Sequence, residues 1–372
     1  MDKICILQNG LYYGGTDTFV LNLCKGLIQD GYEVTVVLSE EPHNISPREN
    51  ELFDIGVEII KTSSIQNGIK CKLKHLILLY KILKKGRYSV FQTNVDLFNG
   101  PQVFVAWLAK VPVRECHSHN SQQGRELKEG RTIAVRVYQS LMRLLCWNFS
   151  NRRCGCSEDA LDFLFGNKWR RDSRAKVIHN GIDLNAYQSP FDTEKKRKET
   201  DIEKRYVIAT VGRISYQKNP EFLLDTFYEL TKTRDDVELI WCGTGELEDI
   251  IKRRIKTYGI ERNVHLLGTR DDISELMKCS NLFLLPSRFE GLGIVLIEAQ
   301  AAGLPCVISD VIPDEANCGG CLSLSLDESP RYWADKVSDI LDGKITLSAD
   351  QVLIEEYSVD HMVKEMEDVF RK

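Results

Sequence analysis

Residues 3–39, KICILQNGLYYGGTDTFVLNLCKGLIQDGYEVTVVLS, decide the fold class. Two runs rich in aliphatic and β-branched residues, KICILQN (3–9) and EVTVVLS (33–39), read as buried strands of the parallel type. Between them Phe19, Val20, Leu23 and Leu27 recur at helical spacing, and Gly31 stands where that helix should stop. The stretch is therefore one βαβ unit of ordinary length.

The same alternation continues outward. VEIIKT (57–62), SVFQTN (89–94) and VRECHSHN (113–120) read as further strands, and KLKHLILLYKILKKG (72–86) as a helix between two of them. A charged stretch of poor periodicity, FDTEKKRKETDIEKR (191–205), reads as the region of an interdomain linker. The pattern then restarts with YVIATVG (206–212), VELIWCG (237–243), NVHLLG (263–268), NLFLLPS (281–287) and PCVISD (305–310). Two α/β domains are expected, each an open parallel sheet with helices on both faces.

The totals fit this picture. The chain has 372 residues, 43% hydrophobic and 28% charged, which is enough for two cores and leaves no case for disorder. No apolar run approaches the roughly 18 residues a membrane-spanning helix needs, and MDKICILQNG lacks the layout of a secretory signal. The twelve cysteines are scattered, mostly in apolar surroundings, and read as reduced core thiols. Cys154-Gly-Cys156 and the CxxC of Cys318 and Cys321 stand apart, but the CxxC has no second pair at metal-binding spacing. The net charge of −5 hides an asymmetry: residues 1–190 carry +6 and residues 191–372 carry −11. A basic first half would favour an anionic partner such as a phospholipid surface; two solvated faces that merely differ would explain it equally.

In open α/β sheets, ligands bind beyond the carboxyl ends of the strands, and four loops with suitable chemistry fall there. After the first strand, Gly14-Gly15 removes side chains where the backbone turns into a helix, although no GxGxxG fingerprint is present. CHSHN (116–120) ends a strand with His117 and His119, whose rings should point the same way if the chain is still extended. VGRISYQKNP (211–220) presents Arg213 and Lys218, two cations fit to hold a diphosphate. Last comes SRFEGLGIVLIEAQAAGLPCVISD (287–310), a strand, a tight turn and a helix that carry Glu290 and Glu298 in an otherwise apolar context. With Glu290 in the first turn of that helix, the carboxylates would lie roughly 12 Å apart along the axis and about 80° apart around it. Both could then face one elongated ligand such as a nucleoside diphosphate sugar.

With these loops in hand, the sequence resembles the retaining GT-B glycosyltransferases of family 4, in the branch that builds bacterial capsule, exopolysaccharide and lipopolysaccharide. EGLGIVLIE is similar to the paired-glutamate motif of that family, GRISYQKNP to its phosphate loop, and VIHNGID (177–183) to its passage between domains. WCGTGELE (241–248) and LLGTRDDI (266–273) resemble the turns that line the nucleotide base. The resemblance implies an N-terminal Rossmann-like acceptor domain over 1–185, a C-terminal donor domain over 186–355 and a last helix, 356–372, that returns to the first domain, with a cleft between the two.

It also implies roles. Glu298 would bond the ribose hydroxyls and Glu290 the donor sugar, while Arg213 and Lys218 neutralise the departing diphosphate beside the backbone of Gly291 and Leu292. Gly14, Gly15 and Thr16 would close over the donor; Asn180, Gly243 and Gly268 join the donor-binding set. His119 matches the catalytic histidine of the family better than His117. Where many members carry Glu, this chain has Asp17, read here as a helix cap. The catalytic set is thus His119, Arg213, Lys218 and Glu290.

The implied reaction moves a hexose or N-acetylhexosamine from a nucleotide sugar, with UDP as the expected carrier, to a saccharide or lipid-linked acceptor. It would proceed with retention and without metal, because two cations and a helix N-terminus can stabilise the leaving group. Asp235-Asp236 and Asp271-Asp272 read as solvated turns, not metal ligands. No nucleic-acid partner is expected. The location expected is cytoplasmic, with peripheral attachment to the inner membrane face, where KCKLKHLILLYKILKKG is either a basic amphipathic contact or a core helix with a lysine-rich solvent face. The rival readings are a two-domain binding protein without chemistry and another GT-B enzyme, such as a nucleotide-sugar epimerase or a phosphorylase.

Overall fold

The computed structural model describes residues 2–119 and 133–371. The chain divides into two units, Met1–Ile182 with Tyr357–Lys372, and Asp183–Glu356.

The first unit is built on seven parallel strands in the order β3-β2-β1-β4-β5-β6-β7. These are β1 (Lys3–Gln8), β2 (Glu33–Leu38), β3 (Glu58–Lys61), β4 (Val90–Thr93), β5 (Val113–Ser118), β6 (Arg152–Gly155) and β7 (Ala175–Val177). Helices α1 (Gly15–Gln29), α2 (Glu49–Asp54), α3 (Ile69–Gly86), α4 (Asn99–Leu108), α5 (Ile133–Phe149) and α6 (Glu158–Phe165) fill the crossovers. The order reverses between β1 and β4, which makes the ends of those strands the crevice where such sheets take ligands.

The second unit repeats the plan with six parallel strands in the order β10-β9-β8-β11-β12-β13. They are β8 (Tyr206–Val211), β9 (Val237–Cys242), β10 (Val264–Gly268), β11 (Leu282–Leu285), β12 (Cys306–Ser309) and β13 (Cys321–Leu324). Helices α7 (Leu184–Gln188) and α8 (Thr193–Glu199) precede the sheet; α9 (Pro220–Thr231), α10 (Glu248–Tyr258), α11 (Ile273–Lys278) and α12 (Ile294–Ala301) cross over it. Helices α13 (Pro330–Leu341) and α14 (Gln351–Glu355) follow, and α15 (Val359–Arg371) belongs to the first unit. Here the reversal falls between β8 and β11.

Hydrophobic periodicity explains the cores. Phe19, Val20, Leu23 and Leu27 of α1 are buried against Ile4, Ile6, Val34 and Val36, and α15 adds Met362, Val363, Met366 and Phe370 to the same cluster. Each such side chain contributes about 2 kcal/mol of burial free energy. In the second unit Trp241, Trp333, Phe227 and Leu224 lie at the centre of an equivalent cluster. All twelve cysteines are unpaired thiols, ten of them buried.

Three expectations need correction. The charged stretch 191–205 is not a linker: it carries α8, inside the second unit. Lys196, only 8% exposed, anchors it 2.5 Å from both Asp272 and Glu275, so a residue that reads as solvated charge is a buried anchor. Asp272 is accordingly no solvated turn residue, and Asp236 likewise holds Arg234 at 2.9 Å. Short strands β6, β7 and β13 were not legible, since RRCG, AKV and CLSL show neither length nor alternation. The strand expected over 113–120 ends at Ser118, and Asn120 lies outside the described residues.

Candidate active site

In the second unit, the loops after β8 and β11 leave the sheet at its switch point and meet. The backbone N–H of Arg288 donates to the carbonyl of Gln217 at 2.8 Å. That contact brings Lys218 to Glu290, with Nζ 2.7 Å from Oε1. The hydroxyl of Ser287 donates to the same carboxylate at 2.6 Å and the Gln217 amide at 3.2 Å. The side chains of Lys218 and Glu290 are 17% and 6% exposed, so the pair is held in a poorly hydrated place. A buried pair gains little net stability, which makes stability alone a weak reason for its presence.

The position of Glu290 corrects the helical estimate. Gly293 has φ +77° and caps α12, which begins only at Ile294. Glu290 therefore stands in the loop before the helix, and the spacing along one axis does not apply. Gly291 is partly exposed and Leu292 is buried, just ahead of the helix N-terminus.

Glu298 sits on α12 and is partly buried. Burial pushes its carboxyl up to about 7, opposed by a hydrogen bond from the Tyr187 hydroxyl and by the charge of Lys218. Tyr187 comes from α7 and is 9% exposed. One ammonium thus acts on both glutamates: it pairs with Glu290 and draws Glu298 toward ionisation. Arg213 stands apart, 74% exposed and 3.3 Å from Glu246, so the two cations expected to act together are not joined here.

Gly243 and Gly268 sit where β9 and β10 end. The N–H of Gly243 donates to the carbonyl of Gly268 at 2.7 Å. A Cβ on Gly243 would lie 2.1 Å from the carbonyl oxygen of Gly212, and its φ of +134° also excludes most side chains. The glycine lets the ends of β8 and β9 close up beside the Arg213 loop.

In the first unit, the rings of His117 and His119 stack 4.5 Å apart at 18°, on one side of β5 as alternation requires. They differ in access. His117 is fully buried, while His119 is partly exposed, so His119 is the one of the two able to meet a ligand. His119 Nε2 lies 2.9 Å from Asn94 Oδ1. The Asn94 amide already donates to the carbonyl of Leu7, so Nε2 carries the proton and Nδ1 the lone pair. Burial and the neighbouring His117 hold the imidazole well below its ordinary pKa, hence neutral.

Gly14 and Gly15 are exposed and Thr16 partly so, at the start of α1. Asp17 is buried; it accepts from the N–H of Gly14 at 3.1 Å and from the Gln8 amide at 2.8 Å. It is a helix cap, in keeping with its reading. Asn180 lies in the first unit and its Oδ1 is buried with no hydrogen-bond partner.

Sequence reasoning missed Tyr187, Ser287, Gln217 and Asn94. The signal for Tyr187 was indirect: a carboxylate in an apolar helix needs a partner, but nothing in the spacing names it.

Comparison with known proteins agrees with these two sheets. The family model "Glycosyl transferases group 1" matches residues 192–318 and "Glycosyltransferase Family 4" matches residues 13–186. The putative glycosyltransferase EpsF of Bacillus subtilis is 31% identical over 342 residues, covering 90% of this chain and 87% of that protein. The chain belongs to glycosyltransferase family 4. A second relative, the UDP-Gal:alpha-D-GlcNAc-diphosphoundecaprenol alpha-1,3-galactosyltransferase of Escherichia coli, is 25% identical, covering 76% of this chain and 72% of that one. Among solved structures, Anabaena HepE in complex with UDP and glucose superposes over the full length of both chains with a TM-score of 0.80 at 20% identity. The fold of this glycosyltransferase is GT-B.

Proposed function

We propose that this glycosyltransferase moves a hexose or N-acetylhexosamine from a UDP-sugar to a lipid-linked saccharide acceptor in bacterial surface polysaccharide synthesis, with retention of configuration. The observation that carries the reading is the Lys218–Glu290 pair at the β8/β11 switch point, with Glu298 and Tyr187 behind it. Uridine as the base is supported by the E. coli relative, named for UDP-Gal, and by the UDP held in the Anabaena structure. The lipid-linked acceptor is supported by the diphosphoundecaprenol in the name of the same relative.

In this reading, Glu298 accepts hydrogen bonds from the ribose diol and Glu290 from the donor sugar, with Tyr187 and Ser287 orienting the two carboxylates. The bond between anomeric carbon and diphosphate breaks with its electron pair passing to the phosphate oxygen. Lys218, the N–H groups ahead of α12 and a swung-in Arg213 stabilise that charge, and no divalent cation is needed. The acceptor hydroxyl attacks the same face of the sugar and its proton leaves with the diphosphate. His119, neutral and carrying its proton on Nε2, is the histidine assigned to the reaction, and Gly14 and Gly15 give the start of α1 a turn without side chains.

The acceptor unit has a surface fitted to an anionic bilayer. Helix α3 buries His75, Leu79 and Leu83 but leaves Ile69, Leu73 and Ile77 more than half exposed among lysines. Helix α4 packs against both α3 and α5 and exposes Trp107, while α5 exposes Val137, Leu141 and Leu144. Apolar side chains set in a basic helix are the chemistry of interfacial attachment. Among the described residues no helix is long and apolar enough to cross a membrane.

The deciding experiment is calorimetric titration with UDP, GDP and ADP in EDTA, on the wild type and on Glu298→Ala. Binding of UDP alone, lost in the variant, is expected; no nucleotide binding would return the binding-protein reading to first place.

A further inference from the structure

A second cluster of reactive side chains lies in the acceptor unit, away from any surface. Glu115 and His117 are two residues apart on β5, and Cys154 on β6 is the Cα partner of His117 across the sheet. All three side chains therefore leave the same face of the sheet. Each is fully buried. One ligand atom from each lies within 4.8 Å of the others.

A fully buried imidazole with neither ring nitrogen partnered calls for an explanation. His117 Nδ1 is 3.4 Å from Glu115 Oε1, without hydrogen-bond geometry, and neither ring nitrogen has a hydrogen-bond partner. Gln92, the Cα partner of Glu115 on β4, is also fully buried and turns its carboxamide toward the same carboxylate. Three donors of sulfur, nitrogen and oxygen thus converge from two adjacent strands, with the Gln92 carboxamide beside the carboxylate on a third.

We propose that Glu115, His117 and Cys154 bind a structural zinc ion, with Gln92 as fourth ligand once its carboxamide turns over to offer the oxygen. The donor set is that of a borderline-soft cation; a thiolate disfavours magnesium or calcium. Charge closes as well: a thiolate and a carboxylate balance a divalent ion, so the loaded site is neutral and its burial is tolerable. Loading removes one proton from the thiol and one from the carboxyl, and it accompanies folding because the site has no opening. The ion ties β4, β5 and β6 together one step below His119, whose ring stacks on His117. Its role is to position that segment, and it takes no part in binding the donor.

The test is elemental analysis of the purified full-length protein after dialysis against EDTA, with cobalt substitution as a second readout. About one zinc per chain is expected, and cobalt should give the near-ultraviolet band of a thiolate–cobalt bond. Cys154→Ala and, should that variant not fold, Glu115→Gln should each lower bound metal roughly tenfold or more. Cys318→Ala, which alters the CxxC in the other unit, should leave it unchanged. A folded protein without zinc and without the cobalt band overturns the proposal. So does zinc that survives Cys154→Ala or disappears with Cys318→Ala.

Discussion

Lys218 Nζ lies 2.7 Å from Glu290 Oε1, and the two belong to loops that follow neighbouring strands, β8 and β11, at the point where the sheet reverses its order. The same ammonium also favours the ionised form of Glu298. In the proposed reading, a diphosphate would compete for this ammonium and release Glu290 to the sugar.

That relationship separates stability from catalysis. Lys218→Ala leaves Glu290 buried without its counter-charge and should cost about 3 kcal/mol of stability. Adding Glu290→Gln should recover most of that loss, because the neutral amide keeps the bonds to Ser287 and Gln217 in altered form. Turnover should fall roughly 100-fold or more in Lys218→Ala and stay low in the double variant. Chemical denaturation and steady-state kinetics on all three proteins check this; recovery of turnover with stability would show the pair to be merely structural.

Glu298 predicts a pH dependence. Its folded-state pKa of about 7 stands above the ordinary 4.5, because burial disfavours the charge. Between those values the folded state holds a proton that the unfolded chain has released, so this contribution to stability is full below about 4.5, falls as pH rises toward about 7 and is lost above it. A ribose diol reverses the preference, because an ionised carboxylate accepts both hydroxyl bonds. UDP affinity should therefore weaken roughly tenfold per pH unit below 7, with proton release on binding at neutral pH. Glu298→Gln should bind UDP weakly and without that dependence. Calorimetry in buffers of different ionisation enthalpy measures both.

What could be read beforehand follows from what leaves a periodic signal. Strands β1, β2, β8 and β9 are continuous apolar runs buried on both faces, so their boundaries were legible to within a residue or so. RRCG of β6 was not, because Arg153 hides its charge against Asp172 and the Trp147 ring, which no alternation rule foresees. Of the site, the carboxylates and cations were legible as charges in apolar or strand-end contexts. Their partners were not: Tyr187 and Glu298 are far apart in sequence, and only the fold brings them together. The exposure of Arg213, and the place of Glu290 before α12, depended on backbone turns at Gly212 and Gly293 that composition marks without specifying.

His119 owes its tautomer to Asn94. Asn94→Leu removes the acceptor at 2.9 Å from Nε2 and frees the ring to turn or to protonate on either nitrogen. If His119 acts in the reaction as proposed, turnover should fall by roughly 10- to 100-fold with donor affinity unchanged, because Asn94 then positions that group without meeting the nucleotide. Nitrogen NMR of labelled histidine should show the Nε2–H form in the wild type and a mixture in the variant. A change in UDP affinity with intact turnover would refute the assignment.

His75 provides the last prediction. It is fully buried on α3, with Nδ1 2.7 Å from the Thr62 hydroxyl and Nε2 3.1 Å from the Gln102 amide. Burial lowers its pKa from the ordinary 6.5 to about 4. Between those values the unfolded chain binds the proton and the folded one does not, so stability is full above 6.5 and is lost as pH falls toward 4. The gap corresponds to about 3 kcal/mol. His75→Gln keeps a polar group between Thr62 and Gln102 but cannot titrate, so its stability should fall less steeply over that window, by one proton's contribution to the slope. Urea denaturation at pH 7, 6, 5 and 4 gives that slope directly. Equal slopes in the two proteins would mean that His75 is already charged in the folded state, and that the Thr62–His75–Gln102 bridge is held by a cation in place of a neutral ring.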